Sequence, residues 1–111
     1  TTLVGQRTST TPRGRDILRD GYPLKISELL AQLPGSRYVE RVSVDTPANM
    51  IKTKAAIKKV FQNQMNGVGF SMVEILSMCP VGWKISPTES LQFIEEQMIS
   101  CFPPGVYKDT D

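Results

Sequence analysis

The reading of the fold turns on Gly69-Phe70-Ser71-Met72-Val73-Glu74-Ile75-Leu76-Ser77-Met78-Cys79-Pro80-Val81-Gly82-Trp83. This mainly apolar run is broken by Ser71, Glu74 and Ser77, opens on a glycine and is stopped by a proline. Such a run predicts a strand covered on both faces rather than one with a wet side. Helix-like segments flank it, Asn49 to Met65 before and Pro87 to Phe102 after, so it is expected to be the inner strand of a parallel βαβ unit. Ligands of open parallel sheets gather beyond the carboxyl ends of the strands, here Met78 to Trp83.

Upstream, Asp45-Thr46-Pro47 is a helix start, a capping side chain followed by proline at the first helical position. Met50, Ile57, Phe61 and Met65 then recur at close to helical spacing, joined by Ile51 and Val60, and Gly67 is the stop. Lys52, Lys54, Lys58 and Lys59 lie on or near the other face, which reads as solvated or as a handle for an acidic partner. Tyr38 to Val44 is a β-branched strand in which Glu40 and Arg41 point to opposite faces; each is expected to be satisfied at a sheet edge or an interface. Pro23 to Leu33 predicts a helix with an Ile26, Leu29, Leu30 and Leu33 stripe, ended by Pro34-Gly35.

Downstream, Ser86-Pro87-Thr88-Glu89 is a capping box, and Leu91, Ile94, Met98 and Cys101 or Phe102 form the buried stripe of the last helix. Val106 to Asp111 reads as a polar tail. The predicted order is helix, strand, helix, strand, helix: an α/β fold with a partial doubly wound parallel sheet. Two parallel strands are too few for a stable sheet, so further strands are expected from elsewhere in the polypeptide or from another chain. Residues 1–22 are rich in Thr, Gly and Arg and have no period. They read either as a flexible arm or as a loop docked on a phosphate or a partner subunit, with Arg7, Arg13 and Arg15 supplying charge.

Composition narrows the chemistry. The 111 residues suit one domain, and thirteen Lys and Arg against eleven Asp and Glu give a net charge of +2, too weak to argue for nucleic acid. No apolar run is long enough to cross a membrane, and residues 1–20 carry no secretory pattern, so a cytoplasmic protein with reduced thiols is expected. There is no histidine, which excludes Ser-His-Asp and Cys-His catalysis and His-based metal sites. Two cysteines, Cys79 and Cys101, cannot hold an iron–sulfur cluster unaided.

Cys79 is the one candidate reactive atom, followed by Pro80 and a glycine-bearing turn with no helix start immediately beside it; a small buried filler is the plainer reading. Trp83 reads as a pocket wall, a subunit contact or core packing. Glu74, mid-strand, is expected to find its partner outside this chain rather than to act in catalysis. The methionines read as core.

Gly21-Tyr22-Pro23-Leu24-Lys25, Tyr38-Val39-Glu40-Arg41-Val42, Gly69 to Ser77, Cys79-Pro80, Trp83 and Pro104-Gly105-Val106-Tyr107-Lys108-Asp109, taken in order, resemble the C-terminal half of the β subunit of 2-oxoacid:ferredoxin oxidoreductases. The resemblance covers essentially the whole chain and is greatest to the branch that handles 2-oxoglutarate or 2-oxoisovalerate. It implies part of a thiamine diphosphate-binding domain, residues 23–111, preceded by an arm, residues 1–22. It further implies thiamine diphosphate and Mg²⁺ as cofactors, iron–sulfur clusters carried elsewhere, and coenzyme A and ferredoxin as acceptors. The implied protein partner is an α subunit bearing the pyrimidine-binding domain.

By the same resemblance the Gly-Asp-Gly segment with its downstream Asn, and the Thr-Gly-Gly-Gln, would lie before Thr1, so the isolated chain is expected to be inactive. Many relatives carry Thr at the position of Val81 and often Asn at that of Gly82. The expected cofactor-side residues are Cys79, Pro80, Gly82 and Trp83 in the cleft loop and Thr1 and Thr2 in the arm. A non-enzymatic α/β module docking an acidic partner is the alternative.

Overall fold

The computed structural model describes residues 2–110. In chain order the elements are α1 (Ile17–Asp20), α2 (Ile26–Ala31), β1 (Ser36–Ser43), α3 (Pro47–Met65), β2 (Phe70–Leu76), α4 (Pro80–Trp83), α5 (Pro87–Phe93), a π-helical stretch (Ile94–Met98), α6 (Ile99–Cys101) and β3 (Gly105–Asp109). The three strands form one mixed sheet ordered β2-β1-β3. β1 runs parallel to β2 and antiparallel to β3.

Helices cover both faces of β1, because successive side chains of a strand alternate. On one face the Lys59 ammonium of α3 lies 4.7 Å from the Tyr38 ring centroid. On the other, Glu28 of α2 grips Arg41. The α3 start is the one its sequence encodes: Thr46 caps the Asn49 amide at 3.1 Å, and Pro47 follows at the first helical position. Ser86 likewise caps the Glu89 amide at 3.1 Å. Leu76, at the carboxyl end of β2, packs with Ile94, Met98 and Phe102 into an apolar cluster, with Trp83, Phe93 and Leu3 against it.

Five expectations are corrected. The central strand is β1, not β2, which is an edge and only partly covered. The tail is a strand: residues 105–109 pair with β1, so the sheet is mixed rather than parallel. The α2 helix starts at Ile26 and buries Ser27, leaving Leu29 and Leu33 exposed. Glu74 has its partners inside the chain, Arg41 and Ser27. The Met50, Ile57, Phe61 and Met65 stripe of α3 faces outward with Lys54 and Lys58 set within it rather than on the other face, while Thr53 and Ala56 meet the sheet. Small residues let the helix sit close to β1, and the Thr53 hydroxyl donates to the Ser43 carbonyl at 2.9 Å. No helix among the described residues is long and apolar enough to cross a membrane.

Candidate functional site

At the carboxyl end of β2 the chain turns into α4. Cys79 is the residue before that helical turn and Pro80 opens it, which corrects the expectation that no helix start adjoins Cys79. The Trp83 amide donates to the Cys79 carbonyl at 2.8 Å. The turn closes on Lys84, whose φ of 61° is left-handed and whose amide returns to the carbonyls of Pro80 and Val81. Gly82 lies close against its neighbours: a Cβ there would stand 2.8 Å from Cys79 Sγ, which would have to rotate away, and 3.7 Å from Ser9 Oγ. Its carbonyl accepts the Ser9 amide at 2.8 Å, which fastens the arm to this turn.

The arm is held by its own bonds. Thr8 Oγ1 meets Thr11 Oγ1 at 2.8 Å and Thr10 Oγ1 at 3.2 Å, and Thr11 donates to the Gln6 carbonyl at 2.9 Å. The Gly5 amide donates to the Arg15 carbonyl at 2.9 Å, where Gly14 (φ +88°) passes close against Gly5. Arg15 is consumed as a clamp: its guanidinium donates to Thr2 Oγ1 and to the carbonyls of Asp20, Gly21 and Tyr22. These acceptors are all neutral, so Arg15 keeps its positive charge as expected and holds it at a fixed place, while Arg7 and Arg13 are exposed.

Two clefts flank the Cys79–Trp83 turn. A cleft of about 370 Å³ is lined by Thr2, Thr8, Ser9, Thr10, Thr11 and Arg15 of the arm together with Cys79, Gly82 and Trp83. A second, of about 300 Å³, lies between the end of β2 and the last helix and is lined by Ile26, Glu74, Cys79, Trp83, Met98 and Phe102. Cys79 and Trp83 border both. The Trp83 indole is braced by Phe93, with ring centroids 5.0 Å apart at 57°. Cys79 is exposed and carries a free thiol, which corrects its reading as a small buried filler.

The second cleft rests on a buried charge network. Arg41, with no solvent exposure, donates two bonds of 2.7 Å to the Glu28 carboxylate, one to Glu74, and one of 3.0 Å to the Tyr107 hydroxyl. Its guanidinium also lies 5.3 Å from the Phe102 ring centroid and 5.1 Å from that of Tyr107. Burial alone would pull the Arg41 pKa down, but the bonds to Glu28 and Glu74 outweigh it and push it up. The same bidentate bond holds Glu28 down at about 2. One cation between two carboxylates fixes α2, β2 and β3 against β1 and sets where Glu74 meets the cleft.

Of the sequence-predicted residues, Cys79, Gly82, Trp83 and Thr2 line one cleft, and Pro80 opens the turn beside it. Thr1 lies outside the described residues. The arm's Thr hydroxyls read as donors of a docking loop, but the sequence did not single out Thr8, Ser9, Thr10 and Thr11, for which the repeated Ser/Thr between Gly5 and Gly14 was the available signal. The hydroxyl-lined cleft offers hydroxyl donors, the Arg15 guanidinium, a thiol and an indole wall, with no carboxylate or imidazole to carry a proton. That equips it for binding and positioning. Among the described residues no three His, Cys, Asp or Glu side chains converge to hold a metal ion.

The chain is 38% identical over 109 residues to ketoisovalerate oxidoreductase subunit VorA of Methanothermobacter marburgensis, and equally to that of Methanothermobacter thermautotrophicus. Each alignment takes in 98% of this chain but 23% of the relative. No protein-family model matches the chain, and no solved structure does. The identity, sustained along the whole chain, supports a 2-oxoacid oxidoreductase relationship.

Proposed function

We propose that this chain is the C-terminal portion, with an N-terminal arm, of the thiamine diphosphate-binding domain in the β subunit of a 2-oxoacid:ferredoxin oxidoreductase, with 2-oxoisovalerate as the first substrate to test. The observation that carries the reading is the 38% identity across 98% of the chain to ketoisovalerate oxidoreductase subunits. It is supported by two clefts converging on one turn at the carboxyl end of a parallel strand, where ligands of such sheets gather. The outer edge of β2, unpaired among the described residues, suits a larger sheet.

Thiamine diphosphate, where bound, would supply carbanion chemistry. The residues of this chain act around it: Trp83 and Cys79 wall the cleft, and the Thr8–Thr11 hydroxyls line its polar side. Mg²⁺, the diphosphate and the iron–sulfur clusters are assigned to residues outside this chain, and the α subunit, coenzyme A and ferredoxin are the proposed partners. The test is acceptor reduction by the complete protein with methyl viologen, supplied in turn with 2-oxoisovalerate, 2-oxoglutarate and pyruvate. The expected outcome is coenzyme A-dependent reduction with one of the first two; no reduction with any 2-oxoacid would refute the reading.

A further inference from the structure

The α3 helix carries an apolar stripe that none of the described residues covers and that the proposed chemistry does not use. Met50, Ile51, Ile57, Phe61 and Met65 are between 38% (Ile57) and 85% (Met65) exposed. At 3.6 residues per turn they fall within about a third of the helix circumference. Lys59, on the opposite flank, bonds Asp109 of β3 at 2.8 Å. The stripe therefore runs from the flank away from β3, beside the open edge of β2, up to the outer surface of the helix. With about 200 Å² per large side chain, these exposures amount to on the order of 600 Å², the upper end of what a monomer leaves uncovered and most of one side of a standard interface.

Charge selects the occupant. Lys54 and Lys58 stand within the stripe, neither pairs with a carboxylate among the described residues, and α3 contains four lysines and no acidic residue. A second copy laid face to face would oppose like charges. A membrane-lying helix keeps its cations at the margins of its apolar face, whereas here two sit inside it. We infer that α3 docks a protein helix whose apolar stripe is interrupted by carboxylates placed to meet Lys54 and Lys58.

The test uses two labelled synthetic helical peptides with the same leucine stripe, one bearing Glu and the other Lys at the interrupting positions, titrated into the purified protein by fluorescence anisotropy. The Glu peptide is expected to bind about tenfold more tightly than the Lys peptide at low salt, with the gap closing as salt rises. The double variant Lys54→Glu/Lys58→Glu should reverse that preference, and Phe61→Ser should abolish binding of both peptides. All three residues are exposed, so unchanged thermal melting shows that these variants remain folded. Equal binding of the two peptides, or binding of neither, overturns the inference. So does binding confined to phosphatidylserine vesicles, or self-association in sedimentation that Phe61→Ser removes.

Discussion

Replacing Arg41 by Met tests the charge network at its centre. The substitution keeps much of the side-chain volume but leaves Glu28 and Glu74 facing each other with no cation between them, while Tyr107 loses a donor. Removing one partner of a buried ion pair costs about 3–5 kcal/mol. A domain holds about 5–15 kcal/mol in all, so Arg41→Met should lose a large share of its stability at pH 7.

The pH dependence gives a second, independent reading. The Glu28 pKa falls from its ordinary 4.5 to about 2 in the folded protein. Its contribution is therefore fully present above pH 4.5 and is lost as pH falls through about 2. The full shift corresponds to about 3 kcal/mol, which partial solvent screening of the Glu28 carboxylate reduces to about 2. In Arg41→Met the shift vanishes, so the stability gap between the two proteins should narrow on acidification. Urea unfolding followed by circular dichroism at pH 7, 4.5 and 3 measures both effects. A cost below about 1 kcal/mol at pH 7, or a gap that does not change with pH, would refute the reasoning.

Three smaller substitutions follow from local geometry. Ser90 Oγ is buried without a hydrogen-bond partner, so Ser90→Ala should raise stability by about 1 kcal/mol, seen as an increase of roughly 4 °C in Tm. Lys84 occupies a left-handed conformation at φ 61°, and Lys84→Gly should stabilise by about 0.5–1 kcal/mol in the same melting experiment. Gly14→Ala places a Cβ 2.9 Å from the Gly5 carbonyl oxygen at a positive φ, which backbone cannot easily yield. Hydrogen exchange of the Gly5 amide, bonded to the Arg15 carbonyl, should accelerate at least tenfold while the amides of β1 keep their protection.

What the sequence made legible was local. The proline and hydroxyl pairs at Thr46-Pro47 and Ser86-Pro87 mark helix starts because capping is settled within four residues. The buried positions Ile94, Met98 and Phe102 follow helical spacing. What failed depended on distant partners. Arg41 read as satisfied at a sheet edge or an interface, yet it is fully buried within the chain, because the carboxylates that neutralise it come from 13 residues before and 33 residues after. With that pair recognised, β1 would have been placed at the centre. β3 was hidden because a short edge strand with polar residues has no pattern of its own until β1 supplies its hydrogen bonds. The outward α3 stripe misled for the opposite reason: apolar spacing marks a buried face but does not say by what. At the site, the turn from Cys79 to Trp83 was visible as the end of a strand. The hydroxyls that complete the cleft lie some seventy residues earlier and are joined to it by a single backbone bond, Ser9 to Gly82.

That the Cys79–Trp83 turn borders the substrate and cofactor is tested most directly by alkylating the complete protein. Cys79 is the exposed thiol and Cys101, only partly exposed, is the internal reference. Iodoacetamide labelling of each, followed by mass spectrometry, should show Cys79 slowed at least tenfold by thiamine diphosphate, Mg²⁺ and 2-oxoisovalerate together, with Cys101 unchanged. Labelling of Cys79 at the same rate with and without those ligands, in a preparation that turns them over, would place the reaction elsewhere.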